Sequence, residues 1–259
     1  LIRAAAYVTG GRVEIVAVAV AHLLLAMSFV MLHVYARLRL ANGGAAGLAV
    51  LSFALLPTTM FFRFGYSEST FFFLVLLFLL GLERGWSLLG LALIAGVASG
   101  TRAPGIALLP VLLLELWRRH PLVSRFVPRA ILLVPVACGG LLAFVAYQWQ
   151  VFDEPLAFVK IQKNWRLIEG SYEDSILPLA TYEPGWKTYD DHSWRYWAKA
   201  EFHGRGPFSI LFANPIFFTG TLALFLFGAW RGLLNQREWM LAVALLAIPY
   251  LTKGYTSSM

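Results

Sequence analysis

Charge is scarce in this sequence. Only 14% of its 259 residues are Asp, Glu, Lys or Arg, whereas a soluble domain carries about 25%. That excludes an ordinary water-exposed surface around a single core. Cysteine occurs once, as Cys138 inside an apolar run, which rules out a disulfide framework and a cysteine-built metal site. There is no N-x-S/T sequon, internal repeat, low-complexity tract or signal-peptide pattern. The chain opens on Leu1 and stops at Ser257-Ser258-Met259, just after an apolar segment, so it reads as a fragment of a longer protein.

What is present is apolar. Hydrophobic residues make up 59% of the chain and the mean hydropathy is +0.69. The charges are clustered, leaving uninterrupted runs of roughly 15 to 25 residues, the length of membrane helices. The expected fold class is an all-α polytopic membrane protein. Its runs lie at about Val13 to Tyr35, Ala45 to Phe62, Glu68 to Leu82, Trp86 to Gly100, Gly105 to Trp117, Ala130 to Trp149, Phe208 to Trp230 and Trp239 to Leu251. All 259 residues form one integral-membrane domain in this reading, with residues 153–207 as a polar loop subdomain.

The connecting loops are asymmetric. Alternate loops hold Arg37, Arg39, Glu83, Arg84, Arg118, Arg119, Arg125, Arg129, Arg231, Arg237 and Glu238, nine basic against two acidic residues. The opposite short loops hold Arg63, Glu68, Arg102 and Lys253. The positive-inside rule assigns the first set to the cytoplasm. The net charge of +7 is therefore a topology signal, and it implies no nucleic-acid partner. Glu68, Arg102 and the long polar segment fall on the outer side. The segment is rich in Trp and Tyr, including Trp165, Trp186, Trp194 and Trp197, which suits a folded, functional loop.

The third, fourth and fifth runs are short. At 1.5 Å per residue they span roughly 20–22 Å of about 30 Å of hydrocarbon. Glu68 and Arg102 would then sit in a recess. Ser67 is a candidate N-cap and Glu68 complements the dipole of the helix it starts. A cap needs no charge at membrane depth, however, and such charges are costly. A guanidinium at Arg102 suits a phosphate, although it could also snorkel or pair with a carboxylate. Arg63 reads as interfacial or as a second phosphate contact. "GYSES" is no nucleophile elbow, because Ser69 stands where the last glycine belongs. His22 and His33 share a helix face as bundle residues. Asp190, Asp191, His192, Glu201 and His203 match no strong ligand spacing, so no metal is expected. Gly43/Gly47 and Gly96/Gly100 form G-x-x-x-G patterns that allow close helix packing.

"PTTMFFRFGYSESTFFFLVLLFLLGLERG" followed by "GLALIAGVASGTRAPGIALLP" resembles the PIG-V family, in which a proline and an aromatic-rich stretch precede Y-[ST]-E-[SA], with a tRxxG turn one helix later. "FDEPLAFVKIQKNW" resembles the segment that opens the large outer loop of bacterial members, with Glu154 as an extra residue before Pro155. The closing "SSM" resembles the start of the family's S-M-x-R segment. The resemblance covers most of the chain and rests on the order and spacing of short motifs.

It implies a GT-C bundle of helices and an inverting transfer of mannose on the extracytoplasmic or lumenal face. The donor would be a polyprenyl (dolichyl-type) phosphate mannose and the acceptor a glycolipid or glycan, with no cofactor. Membrane lipids would surround the protein, and some family members work with a partner subunit. It also implies that the main catalytic base lies in a first outer loop preceding Leu1. Glu68 is then a supporting catalytic residue, and Arg102, Arg63, Tyr66, Ser67, Lys160, Gln162 and Trp165 are the expected substrate contacts. Few cysteines, no sequon and arginine in preference to lysine point to a bacterial plasma membrane over the endoplasmic reticulum. Alternatives are another GT-C enzyme, such as a protein O-mannosyltransferase, and a transporter or flippase for a lipid-linked or anionic substrate. A structural scaffold has no need of Glu68 and Arg102.

Overall fold

A computed structural model describes Tyr7, 10–40, 43–56, Thr59, 62–64, 67–158, Lys160, 189–192 and 210–251. Every regular element among these residues is helical, as the sequence predicts. Two compact units divide the chain, Leu1–Gln150 and Val151–Met259.

The first unit begins with α1 (Val13–Leu40), α2 (Gly43–Leu55) and α3 (Glu68–Glu83). α2 stops before Pro57 instead of running on to Phe62, because a residue preceding proline is driven out of the helical region. Four phenylalanines register these helices. Phe53 near the end of α2 stacks on Phe72 near the start of α3 at 4.5 Å and meets Phe29 of α1 edge-on at 6.0 Å. Phe62 closes the cluster against both Phe53 and Phe72. The C-terminal half of α1 therefore runs alongside α3 in the same direction, with α2 opposed.

α3 turns at Gly85, whose φ of 68° belongs to the left-handed region, into α4 (Leu88–Thr101). Ser87 caps α4 by accepting a hydrogen bond from the Gly90 N–H at 3.1 Å. A 3-10 turn (Ala103–Ala107) leads into α5 (Leu108–Arg119), which returns along α4. Phe78, Leu91, Leu108, Val111, Leu112 and Leu116 are the large, fully enclosed side chains of this core. At roughly 1.5–3 kcal/mol for each enclosed apolar side chain, their burial is what holds α3, α4 and α5 together.

The expected straight helix from Ala130 to Trp149 is instead two, α6 (Val123–Ala137) and α7 (Gly139–Phe152), bent by 54°. Pro135 removes a backbone donor just before the break, and Gly139 and Gly140 offer no side chain after it. The bend brings backbone onto backbone. A Cβ at Gly96 would collide with the Val136 carbonyl, and one at Gly100 would lie 2.9 Å from the Gly140 Cα. Ser99 pins the junction, donating to the Gly96 carbonyl at 2.8 Å and accepting from the Leu141 N–H at 3.3 Å. The Gly96/Gly100 pattern thus serves close packing as expected. Gly43 and Gly47 do not, since a Cβ at either meets nothing within 4 Å.

In the second unit, α8 (Ile210–Trp230) and α9 (Gln236–Leu251) form a hairpin. Gly232, at φ 65°, makes the turn. Asn235 and Glu238 then cap α9 reciprocally, each accepting from the other's backbone N–H at 2.8 and 2.7 Å. The ring of Tyr189, from the polar segment, lies edge-on against Phe212 of α8, and its hydroxyl donates to the Phe212 carbonyl at 2.6 Å.

Among the described residues, α1 is the one single helix long and apolar enough to cross a membrane, and the bent α6–α7 pair is a second candidate span. Gly43–Leu55, Leu88–Thr101 and Pro215–Trp230 are apolar but shorter.

Candidate functional site

Two charges that are 34 residues apart in sequence meet at one end of the first unit. An Arg102 Nη1 donates to Glu68 Oε1. The local folding explains why. Glu68 is the first residue of α3. Arg102 ends α4 in an extended conformation (φ −151°, ψ 140°), because Pro104 and Gly105 start the 3-10 turn immediately after it. Gly105 folds so close to Ala98 that a Cβ there would clash with the Ala98 carbonyl, and its N–H bonds the Arg102 carbonyl at 2.8 Å. α3 and α4 are antiparallel neighbours joined by a short turn, so the start of one adjoins the end of the other.

The pair is partly enclosed, with side-chain exposures of 33% for Arg102 and 23% for Glu68. Among the described residues, Glu68 Oε2 is buried without a hydrogen-bond partner, and so is the hydroxyl of the neighbouring Ser69. A buried oxygen left unsatisfied costs on the order of 1–3 kcal/mol. The carboxylate is therefore held one-sided, with one oxygen on the guanidinium and one lone-pair face unused. Chemically the arrangement offers a cation for an anionic group and an acceptor for a hydroxyl.

The expectation that Ser67 caps this helix fails. Its φ and ψ are already helical and its side chain makes no capping bond. It is exposed, as is Arg63 on the preceding short 3-10 stretch, and no ion pair among the described residues joins Arg63 to Glu68. Lys160 lies in the second unit, exposed and paired with Glu154. Tyr66, Gln162 and Trp165 lie outside the described residues. Of the histidine and acidic residues in the polar segment, Asp190, Asp191 and His192 come within 4.8 Å of one another on an exposed turn, while Glu201 and His203 lie outside the described residues.

Sequence inspection missed a second ion pair at the far end of the same helices. Glu115 of α5 is only 4% exposed. It accepts from Arg119 Nε at 2.8 Å, and Arg119 Nη1 reaches the Trp86 carbonyl in the α3–α4 turn, also at 2.8 Å. The Glu–Arg spacing of four was the available signal, hidden because Glu115 sits in an aliphatic run. Ser69 and Ser99 gave no signal, since a serine beside apolar residues shows neither burial nor partner. Among known proteins, no family model, no curated protein and no solved structure matches this chain.

Proposed function

We propose that this chain belongs to a multi-pass membrane glycosyltransferase of the GT-C type, which moves mannose from a polyprenyl-phosphate sugar to a lipid or glycan acceptor on the extracytoplasmic face. The observation that carries this reading is the Glu68–Arg102 pair. It stands at the end of α3 and α4 away from Arg84, Arg118 and Arg119, which cluster at the other end through the Arg119–Trp86 contact. A cation far from the cytoplasmic charge belt, next to a carboxylate with an unused oxygen, is what a departing lipid phosphate and an incoming hydroxyl require.

In the reaction the acceptor oxygen attacks C1 of the sugar from the face opposite the phosphate. The C1–O bond breaks, its electron pair leaves with the polyprenyl phosphate, and the acceptor proton passes to a carboxylate base. Arg102 stabilises the charge that develops on the phosphate oxygens. Glu68 holds the guanidinium through Oε1 and acts as a positioning residue. The main base is assigned to none of the described residues.

A transporter of an anionic or lipid-linked substrate is the second reading. The 54° break between α6 and α7 favours it, because interrupted helices recur in such proteins. One experiment separates the two. The purified protein in lipid, including its natural flanking segments, is incubated with radiolabelled polyprenyl-phosphate mannose and a membrane lipid extract. The enzyme reading expects label to leave the donor. Arg102→Ala lowers that rate by about 10²–10³-fold, and Glu68→Gln by roughly 10–100-fold, with helical content unchanged by circular dichroism. Donor that crosses the bilayer intact would establish the transporter instead.

A further inference from the structure

The corner between α5 and α6 carries an unusual density of positive charge. Arg118, Arg119, His120, Arg125 and Arg129 fall within twelve residues. The one carboxylate of α5, Glu115, is buried and already engages Arg119. Arg119 therefore faces inward and serves the fold. Arg125 and Arg129 face outward: both are exposed, both lie on the first turns of α6, and neither has a carboxylate partner among the described residues. Arg129 Nη1 donates to the Arg125 carbonyl at 3.1 Å, which folds one guanidinium back over the other's residue.

Their setting is apolar. Leu122, three residues before Arg125, and Leu132, three after Arg129 and seven after Arg125, are exposed and lie on the arginine side of α6. Trp117, also exposed, stands edge-on to Phe126 at 5.4 Å. α6 starts without a side-chain cap and without an acidic residue in its first turn, so its dipole adds to the positive field. Nothing in this arrangement favours water on both sides. Cations interleaved with exposed aliphatic and aromatic groups match the boundary between phosphate headgroups and acyl chains.

We propose that the α5–α6 corner is a docking surface for anionic phospholipid headgroups of the cytoplasmic leaflet, with Arg125 and Arg129 binding the lipid phosphate and Trp117, Leu122 and Leu132 lying against the acyl chains. The inference rests on the membrane reading above and is independent of the glycosyl-transfer chemistry. The charge complementarity selects anionic over zwitterionic lipid. The flanking apolar groups select a headgroup with chains attached over free phosphate.

The test uses the full chain in a neutral detergent, titrated with phosphatidylglycerol or phosphatidylcholine, with bound lipid counted by native mass spectrometry. Phosphatidylglycerol binds more tightly in wild type. Each arginine contributes about fivefold, so the Arg125→Ala/Arg129→Ala double variant loses roughly 25-fold for phosphatidylglycerol while phosphatidylcholine is unaffected. The Arg125→Lys/Arg129→Lys variant retains most of the preference and controls for folding. Equal binding of the two lipids by wild type overturns the proposal. So does phosphatidylglycerol binding that survives the double alanine variant, or its full displacement by millimolar inorganic phosphate, which would mark a free-anion site. A chain that stays dispersed without detergent removes the membrane reading itself, an outcome distinct from a lost lipid preference.

Discussion

His120 shows how strongly the α5–α6 corner acts on a single side chain. Desolvation of its half-buried ring lowers its pKa from the usual 6.5, and the charges of Arg129, Arg125 and Arg119 lower it further. A base that resists protonation when folded leaves the native state relatively favoured while it is neutral. The stability is therefore present above about pH 6.5 and is lost as pH falls through the depressed folded value. A proton NMR titration should place the His120 midpoint below 6.5. In Arg129→Ala the midpoint should move part of the way back up, because desolvation remains, and added salt should raise it in wild type. An unshifted midpoint in wild type would mean that the ring is neither desolvated nor close to the arginines. At this scale the sequence was only partly legible. Glu68 and Arg102 stood out as charges beside apolar runs, but their pairing depends on which helices are neighbours, and no local spacing encodes that. Ser67 misled because a serine before Glu in an apolar run has the composition of a cap, whereas its backbone has already entered the helix.

Among elements, the junction of α4 with the α6–α7 bend packs backbone directly on backbone. Gly96, Gly100 and Gly140 each meet another backbone where a Cβ would stand. Interiors packed this closely have no room to yield. Gly100→Val should therefore destabilise the protein by about 1–3 kcal/mol, and Gly140→Ala should act in the same direction. Gly47→Ala, whose Cβ would enter open space, should be neutral or stabilising by up to about 1 kcal/mol. Thermal or denaturant unfolding in detergent compares all three, and equal effects at Gly100 and Gly47 would sink this account. The existence and order of the helices were readable because apolar runs bounded by charges are long and unambiguous. The bend was not. Pro135 and the Gly139-Gly140 pair were visible, but proline within a membrane-length run is tolerated often enough that it does not announce a break. The two G-x-x-x-G patterns look identical in sequence, and only one has a backbone to receive it.

For the whole molecule, the membrane reading requires the two ends of the first unit to face opposite compartments. Glu68 and Arg102 mark one end, while Arg84, Arg119 and the start of α6 mark the other. In a Cys138→Ser background, cysteines introduced at Ser67 and Arg84 should react with a membrane-impermeant maleimide from opposite faces of sealed vesicles. Labelling of both from one face would refute the alternation of loops on which the proposed topology depends. That alternation is proposed from the count of arginines in each loop alone. The place of Tyr189 was not legible, since its contact, with Phe212, lies far along the sequence.

The inequality of α1 and α3 bears on how a ligand arrives. α1 has 28 residues and α3 has 16, a difference of about 18 Å at 1.5 Å per residue. Because the C-terminal half of α1 is in register with α3, the excess lies beyond Glu68. In a bilayer the Glu68–Arg102 pair is then set down along the flank of α1, nearer the acyl chains than the outer headgroups. On the proposed function, the isoprenoid chain of a lipid-linked sugar already lies at that level, with its phosphate and sugar at the interface above. Such a donor would reach the pair by sliding sideways between lipids along α1, its phosphate entering from the membrane side and not from bulk water.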